Sequence, residues 1–137
     1  MNTKKYSIQL NRVIDGDSLD IDIDLGFGIV LQNRRLRLEG VDTPELRTSD
    51  EEEKQFGLRA KSFVVDWCSK RNLNLVVKNH GDEYDKFGRI LGQVEDNEGN
   101  NLVTDIISNY HGVAYHGQNK ADIRKAHMNN RAKLFTI

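Results

Sequence analysis

Between Ser18 and Leu25 the chain alternates strictly, with Leu19, Ile21, Ile23 and Leu25 on one side and Asp20, Asp22 and Asp24 on the other. A period of two with one apolar and one acidic face predicts a half-buried β-strand whose aspartates form its wet face. Tyr6 to Ile14 alternates more loosely and predicts the strand before it. Gly26 and Gly28 supply turn positions, apolar residues resume at Ile29 to Leu31, and Leu36 and Leu38 then alternate with Arg35, Arg37 and Glu39. The pattern is a long hairpin or meander. It ends at Gly40-Val41-Asp42-Thr43-Pro44, where a proline without an N–H stops strand pairing.

The period then changes. Ser49-Asp50-Glu51-Glu52 fits a capping box, with Ser49 as N-cap and Glu52 three residues on, and acids suit the positive end of a helix dipole. Phe56, Ala60, Phe63, Val64 and Trp67 recur at helical spacing, predicting a helix over about Asp50 to Ser69 with Trp67 and Cys68 in the core. Leu73, Leu75 and Val77 make the next strand, and Ile90 to Val94 another, closed by the turn Asp96-Asn97-Glu98-Gly99-Asn100. Leu102, Val103, Ile106, Ile107 and Tyr110 predict an amphipathic helix with Gly112 as its C′ residue, and a weaker helix covers about Ala121 to Lys133. The elements add up to one α+β domain over residues 1–137, with about five strands and about three α-helices.

A chain of 137 residues that is 37% hydrophobic and 30% charged buries a core, which excludes collagen-like and strongly disordered classes. No apolar run approaches the roughly 20 residues of a membrane helix. Lys4 and Lys5 have no apolar segment behind them, so no secretory signal is expected. The expectation is a cytoplasmic protein if the chain is complete, a secreted one if it is a processed form, and a monomer by default. Cys68 is the single cysteine, which excludes an intramolecular disulfide and a Cys-rich zinc site. His80, His111, His116 and His127 share no ligand-like spacing, so zinc is not expected.

Two turns concentrate acids: Asp15-Gly16-Asp17 at the mouth of one strand and Asp42-Thr43-Pro44-Glu45 at the end of another. Read singly, each is ordinary turn chemistry; together they offer a hard cation several oxygen ligands. Arg37 lies five residues before Asp42, and Asp85-Lys86-Phe87-Gly88-Arg89 leads a second arginine into a strand. Guanidiniums grip phosphate and neutralise charge developing on it, so acids, arginines and a metal would compose a phosphodiester hydrolysis site. Asp20-x-Asp22-x-Asp24 is no calcium loop, because Gly26 falls one place late and Leu31 occupies the position that needs a glutamate.

Val13-Ile14-Asp15-Gly16-Asp17-Ser18, Arg37 with Asp42-Thr43-Pro44-Glu45, and Asp85-Lys86-Phe87-Gly88-Arg89 resemble, in that order, the signatures of the staphylococcal nuclease family. The resemblance extends over nearly the whole chain. It implies a five-stranded OB-fold β-barrel with three α-helices, a fold that commonly binds oligonucleotides. It also implies a calcium-dependent endonuclease that cleaves DNA and RNA with little sequence preference and leaves 3′-phosphates. Carried over by residue, Asp17 and Asp42 are the Ca2+-ligating carboxylates, with the backbone carbonyl of Thr43 a further ligand. Glu45 is the general base for the attacking water, kept ionised by nearby cations. Arg37 and Arg89 bind the scissile phosphate and stabilise its transition state. Lys86, Phe87 and Tyr115 contact substrate, while Asp15 matches the motif without being a ligand.

Several features depart from that family. Asp50-Glu51-Glu52-Glu53 stands where a lysine-rich loop occurs in its best-known secreted member, so weaker or more salt-sensitive DNA binding is expected. Phe87 replaces a tyrosine, losing a hydroxyl but keeping a stacking face. Tyr115 is a single tyrosine where a pair is expected, and the Ser18–Leu38 hairpin is longer. With 20 Lys+Arg against 21 Asp+Glu the formal net charge is -1, so nucleic acid would be held by a local site and not by a bulk positive field. A catalytically silent nucleic-acid or protein binding module of the same fold is the alternative.

Overall fold

The computed structural model describes residues 3–78 and 84–135. In chain order the elements are β1 (Lys4–Asp15), β2 (Ser18–Gly26), β3 (Ile29–Leu38), β4 (Val41–Asp42), α1 (Glu51–Ser69), β5 (Leu73–Val77), β6 (Ile90–Asp96), α2 (Leu102–Ser108), β7 (Val113–Ala114) and α3 (Lys120–Phe135). Five strands close into a barrel in the order β1-β2-β3-β6-β5, while β4 and β7 form a separate two-stranded ribbon. This is the expected α+β architecture, an OB-type barrel carrying three helices among the described residues.

The alternation of β2 determines which way its side chains point. Leu19 and Ile21 are fully buried and Ile23 nearly so, meeting Leu36, Leu38, Leu75 and Val94 inside the barrel. Each such side chain contributes about 1.5–3 kcal/mol by leaving water. The helices cap this core: Phe56, Ala60, Val64 and Trp67 line the buried face of α1, and the Trp67 indole donates to Asp105 Oδ2 of α2 at 2.8 Å. Cys68 is buried as expected, and burial pushes its thiol up to about 12.

Four sequence expectations change. The N-cap of α1 is Asp50, not Ser49: its Oδ1 accepts from the N–H groups of Glu52 (3.0 Å) and Glu53 (3.2 Å). A charged acceptor at the positive helix end outcompetes a neighbouring hydroxyl. The left-handed residue closing α2 is Tyr110 (φ 65°), not Gly112. Tyr110 N–H bonds Ile107 O and His111 N–H bonds Ile106 O, the paired bonds of a Schellman ending. Gly112 serves close packing instead, since a Cβ there would stand 2.7 Å from Ile106 Cγ2 and from Val41 Cγ2. Leu25 leaves the core, 39% exposed, because the hairpin runs past the barrel to a tip where Phe27 is bare. Asp20 belongs to no wet face: it is 7% exposed and bridged by Arg35 and Arg12, whose hydrogen bonds and charge hold its carboxyl below the ordinary value.

Candidate active site

Three strand pairings gather residues that are far apart in sequence. In the β2–β3 pair Ser18 faces Arg37, so Asp17 comes beside that arginine, and Leu38 N–H bonds Asp17 O at 2.8 Å. The short parallel pairing of β3 with β6 matches Leu36 to Ile90 and Arg37 to Leu91, bringing Arg89, the residue before β6, to the same end of the barrel. In the ribbon Val41 pairs with Ala114 and Asp42 with Val113, and Tyr115 N–H bonds Gly40 O at 2.9 Å. The loop bearing Glu45 lies directly on α1. A Cβ on Gly57 would be 2.8 Å from Glu45 O and 2.9 Å from Pro44 O, so only glycine allows that approach.

Arg37 stands at the centre. Its Nη1 donates to the carbonyls of Leu38 (2.6 Å) and Val41 (2.8 Å), while Nη2 lies 3.6 Å from Asp17 Oδ2 and 3.9 Å from Asp42 Oδ1. Two carboxylates, one from the β1–β2 turn and one from β4, therefore share one positive charge. Asp17 Oδ2 also accepts from Thr43 N–H at 3.1 Å, and Thr43 is buried. Arg89 is oriented by Asp85, whose Oδ2 takes its Nε–H at 2.7 Å and whose Oδ1 takes its backbone N–H at 2.8 Å. The exposed ring of Phe87 lies 5.4 Å from the Arg89 guanidinium and 5.2 Å from Lys86 Nζ.

Arg37, Asp42, Thr43, Glu45, Lys86, Phe87, Arg89 and Tyr115 all line one cleft of about 1110 Å³. Asp17 stands behind that wall, held to Thr43 and Arg37. Burial, then the charges of Asp17, Asp42 and Glu53, push the Glu45 carboxyl above its ordinary value against the opposing pull of Arg37. Burial and the acidic neighbours together outweigh the pull of Arg37 on this carboxyl. Burial foremost, helped by Asp17, raises Asp15 to about 7. Of the acidic segment, Asp50 and Glu53 line the cleft, whereas Glu52 accepts from Arg131 Nη1 at 3.1 Å.

The helix expected over about Ala121 to Lys133 is present as α3, but its part in the site was not expected. Ile123, His127 and Arg131, spaced by four, present one stripe to the cleft, and His127 Nε2 lies 2.7 Å from Asp42 Oδ2. That spacing was the available signal. His116 also lines the cleft, His111 stacks on Phe63 at 5.0 Å, and His80 lies outside the described residues.

A hard divalent cation wants oxygen donors around a point of negative potential. Asp17 and Asp42 fit that demand, since both already converge on the one positive charge of Arg37. Among the described residues no group of three or more His, Cys, Asp or Glu side chains forms a closed cage, so this pair would be completed by backbone, solvent or substrate oxygens. No described helix is long and apolar enough to cross a membrane.

Barrel, helices and cleft together define an OB-fold domain with a carboxylate-arginine site. The sequence model of the family described as "Staphylococcal nuclease homologue" matches residues 35–134, and the chain belongs to that family. It is 34% identical over 88 residues to the thermonuclease of Staphylococcus intermedius, covering 64% of this chain and 48% of that protein. It is 29% identical over 93 residues to the thermonuclease of Staphylococcus hyicus, covering 68% of this chain and 50% of that protein. To endonuclease YhcR of Bacillus subtilis it is 28% identical over 116 residues, covering 81% of this chain but 9% of that protein. The chain thus spans about half the length of the two thermonucleases and a small part of the endonuclease.

Proposed function

We propose that the chain is a metal-dependent nuclease, a calcium-dependent phosphodiesterase that cuts DNA and/or RNA with low sequence specificity and leaves 3′-phosphates. The observation that carries this reading is the convergence of Asp17 and Asp42 on Arg37, at the wall of a cleft shared with Glu45 and Arg89. Asp17, Asp42 and the backbone carbonyl of Thr43 would hold Ca2+. When bound, the ion supplies positive charge against the oxygens of the phosphate under attack.

The chain's own groups do the rest. Glu45 orients the attacking water and takes its proton, and its raised pKa makes it a stronger base than an ordinary carboxylate. Arg37 and Arg89, each with part of its guanidinium already tied to protein oxygens, direct their remaining N–H groups to the non-bridging phosphate oxygens, where charge accumulates. Lys86 meets a neighbouring phosphate, and Phe87 and Tyr115 offer faces for bases.

Single-stranded DNA, duplex DNA and RNA incubated with calcium, with magnesium and with a chelator test this. Cleavage is expected with calcium and absent with chelator. Arg37→Ala and Arg89→Ala are each expected to lose about 10²–10³-fold in rate, as removal of one oxyanion donor does elsewhere, and Glu45→Ala about 10²–10⁴-fold, as loss of a general base does. A wild-type protein that binds oligonucleotide but cuts none under any divalent ion is a binding module, and the nuclease reading fails.

A further inference from the structure

To share a cation with Asp17, Asp42 needs one carboxylate oxygen free for it, yet it sits on a two-residue strand at the cleft wall and is only partly buried. A side chain so placed has two free torsions. What restrains it arrives from 85 residues further along the chain: His127 of α3, its ring 13% exposed, meets Asp42 Oδ2 at 2.7 Å. An ionised carboxylate only accepts, so the imidazole presents Nε2–H to it. The other oxygen, Oδ1, is the one left near Arg37 Nη2, the same nitrogen that Asp17 Oδ2 approaches.

The position of His127 is itself secured. Asn130 Nδ2 donates to Gly112 O at 3.1 Å, Arg131 binds Glu52, Leu134 is buried, and Phe135 meets Phe56 edge-on at 5.4 Å. These contacts anchor α3 on the C-terminal side of His127, whose ring is itself largely buried.

We infer that His127 is a positioning residue for the cation site, fixing Asp42 through Oδ2 so that Oδ1 is presented to the ion. The inference rests on the metal role proposed for Asp42. Donors behind a metal ligand orient it, and losing one costs about 10–100-fold in metal affinity or activity. An imidazole Nε2–H is mimicked in reach and direction by a glutamine side-chain amide, so Gln keeps the bond and Ala deletes it.

The experiment titrates Ca2+ alone, calorimetrically, into wild type, Asp42→Asn, His127→Ala and His127→Gln, and records thermal unfolding of each in chelator. Asp42→Asn is expected to abolish binding, His127→Ala to weaken it about 10–100-fold, and His127→Gln to restore most of the loss, with unfolding midpoints of the two His127 variants alike. If wild type and Asp42→Asn take up calcium equally or not at all, the metal reading fails and this inference with it. If Asp42→Asn loses binding while His127→Ala keeps wild-type affinity, the metal reading stands and the inference alone is overturned. Equal loss in Ala and Gln variants overturns the hydrogen-bond role of Nε2.

Discussion

Replacing Gly57 by alanine separates helix propensity from site packing. At an ordinary helical position Gly→Ala stabilises by about 1 kcal/mol. Here the new methyl would lie 2.8 Å from Glu45 O, 2.9 Å from Pro44 O and 3.0 Å from Leu46 Cδ2. Ordinary contact begins near 3.4 Å, so the Pro44-Glu45 backbone must retreat by about 0.6 Å, the difference between 3.4 and 2.8. No rotamer change relieves a clash with two backbone carbonyls. Overpacking of this kind costs about 1–3 kcal/mol, leaving a net destabilisation of about 0–2 kcal/mol after the propensity gain. Function should suffer more than stability. A misplacement of about 1 Å can cost on the order of 10²-fold, so a shift of Glu45 by half that or more predicts roughly a tenfold fall in kcat. Urea unfolding with midpoint and slope fitted separately, and initial rates at saturating oligonucleotide on the same preparation, provide both readings. A variant that gains the full propensity increment and cuts at the wild-type rate would refute the claim that Gly57 sets the Glu45 loop.

Two other perturbations follow from the charges. Asp20→Asn removes the negative charge shared by Arg35 and Arg12, whose side chains are 43% and 68% exposed, so about 1 kcal/mol is expected at neutral pH. Since Arg35 holds Asp20 below its ordinary 3.8, that stability is complete above 3.8 and fades as pH falls through the lower folded value. Acid unfolding curves of variant and wild type should therefore converge at low pH, and parallel curves would contradict the pairing. Glu53→Gln removes a cleft charge that raises Glu45, so the acidic limb of kcat/KM, set by ionisation of the base, should move to lower pH. In a Glu45→Gln background the same change should tighten oligonucleotide binding by roughly two- to fivefold at low salt. Glu51→Gln should change neither, and equal effects from positions 51 and 53 would show that only overall charge matters.

Local rules carried the reading of this chain wherever a local rule decided the outcome. Period-two alternation identified β2, and helical spacing identified α1, because each pattern is the footprint of one element against one core. The misplacements are of a different kind. Thr48, Ser49 and Asp50 can all cap a helix, and what selects Asp50 is the geometry in which the chain reaches α1, with Thr48 Oγ1 accepting from Asp50 N–H. Gly112 looked like a helix stop because glycine usually is one; here its missing Cβ admits Ile106 and Val41, a constraint visible only once those residues are packed. Asp20 looked solvated because its partners Arg12 and Arg35 belong to the two adjacent strands. The spacing of the histidines among themselves says nothing of His127, because its partner is Asp42. The carboxylate-arginine motifs sit in short local segments, and the parallel β3–β6 register that unites two of those segments leaves no mark in either one.

That assembly bears on how a near-neutral chain would hold a polyanion. The cleft carries Arg37, Lys86, Arg89, Lys120, Arg124 and Arg131, and against them Glu39, Asp42, Glu45, Asp50, Glu53 and Asp85. A phosphate approaching this surface feels little net attraction at a distance, in contrast to a basic groove. Selectivity must then come from contact. The arginines best suited to contact are those already braced, Arg37 by two backbone carbonyls and Arg89 by Asp85, because a guanidinium with fixed direction loses little entropy when the anion arrives. On the proposed reading, a divalent ion held by Asp17 and Asp42 would tip the balanced cleft positive. Cation and phosphate would then each raise the affinity for the other by the same factor, as linkage requires. Acids that look hostile to nucleic acid would thereby make its binding conditional on the ion.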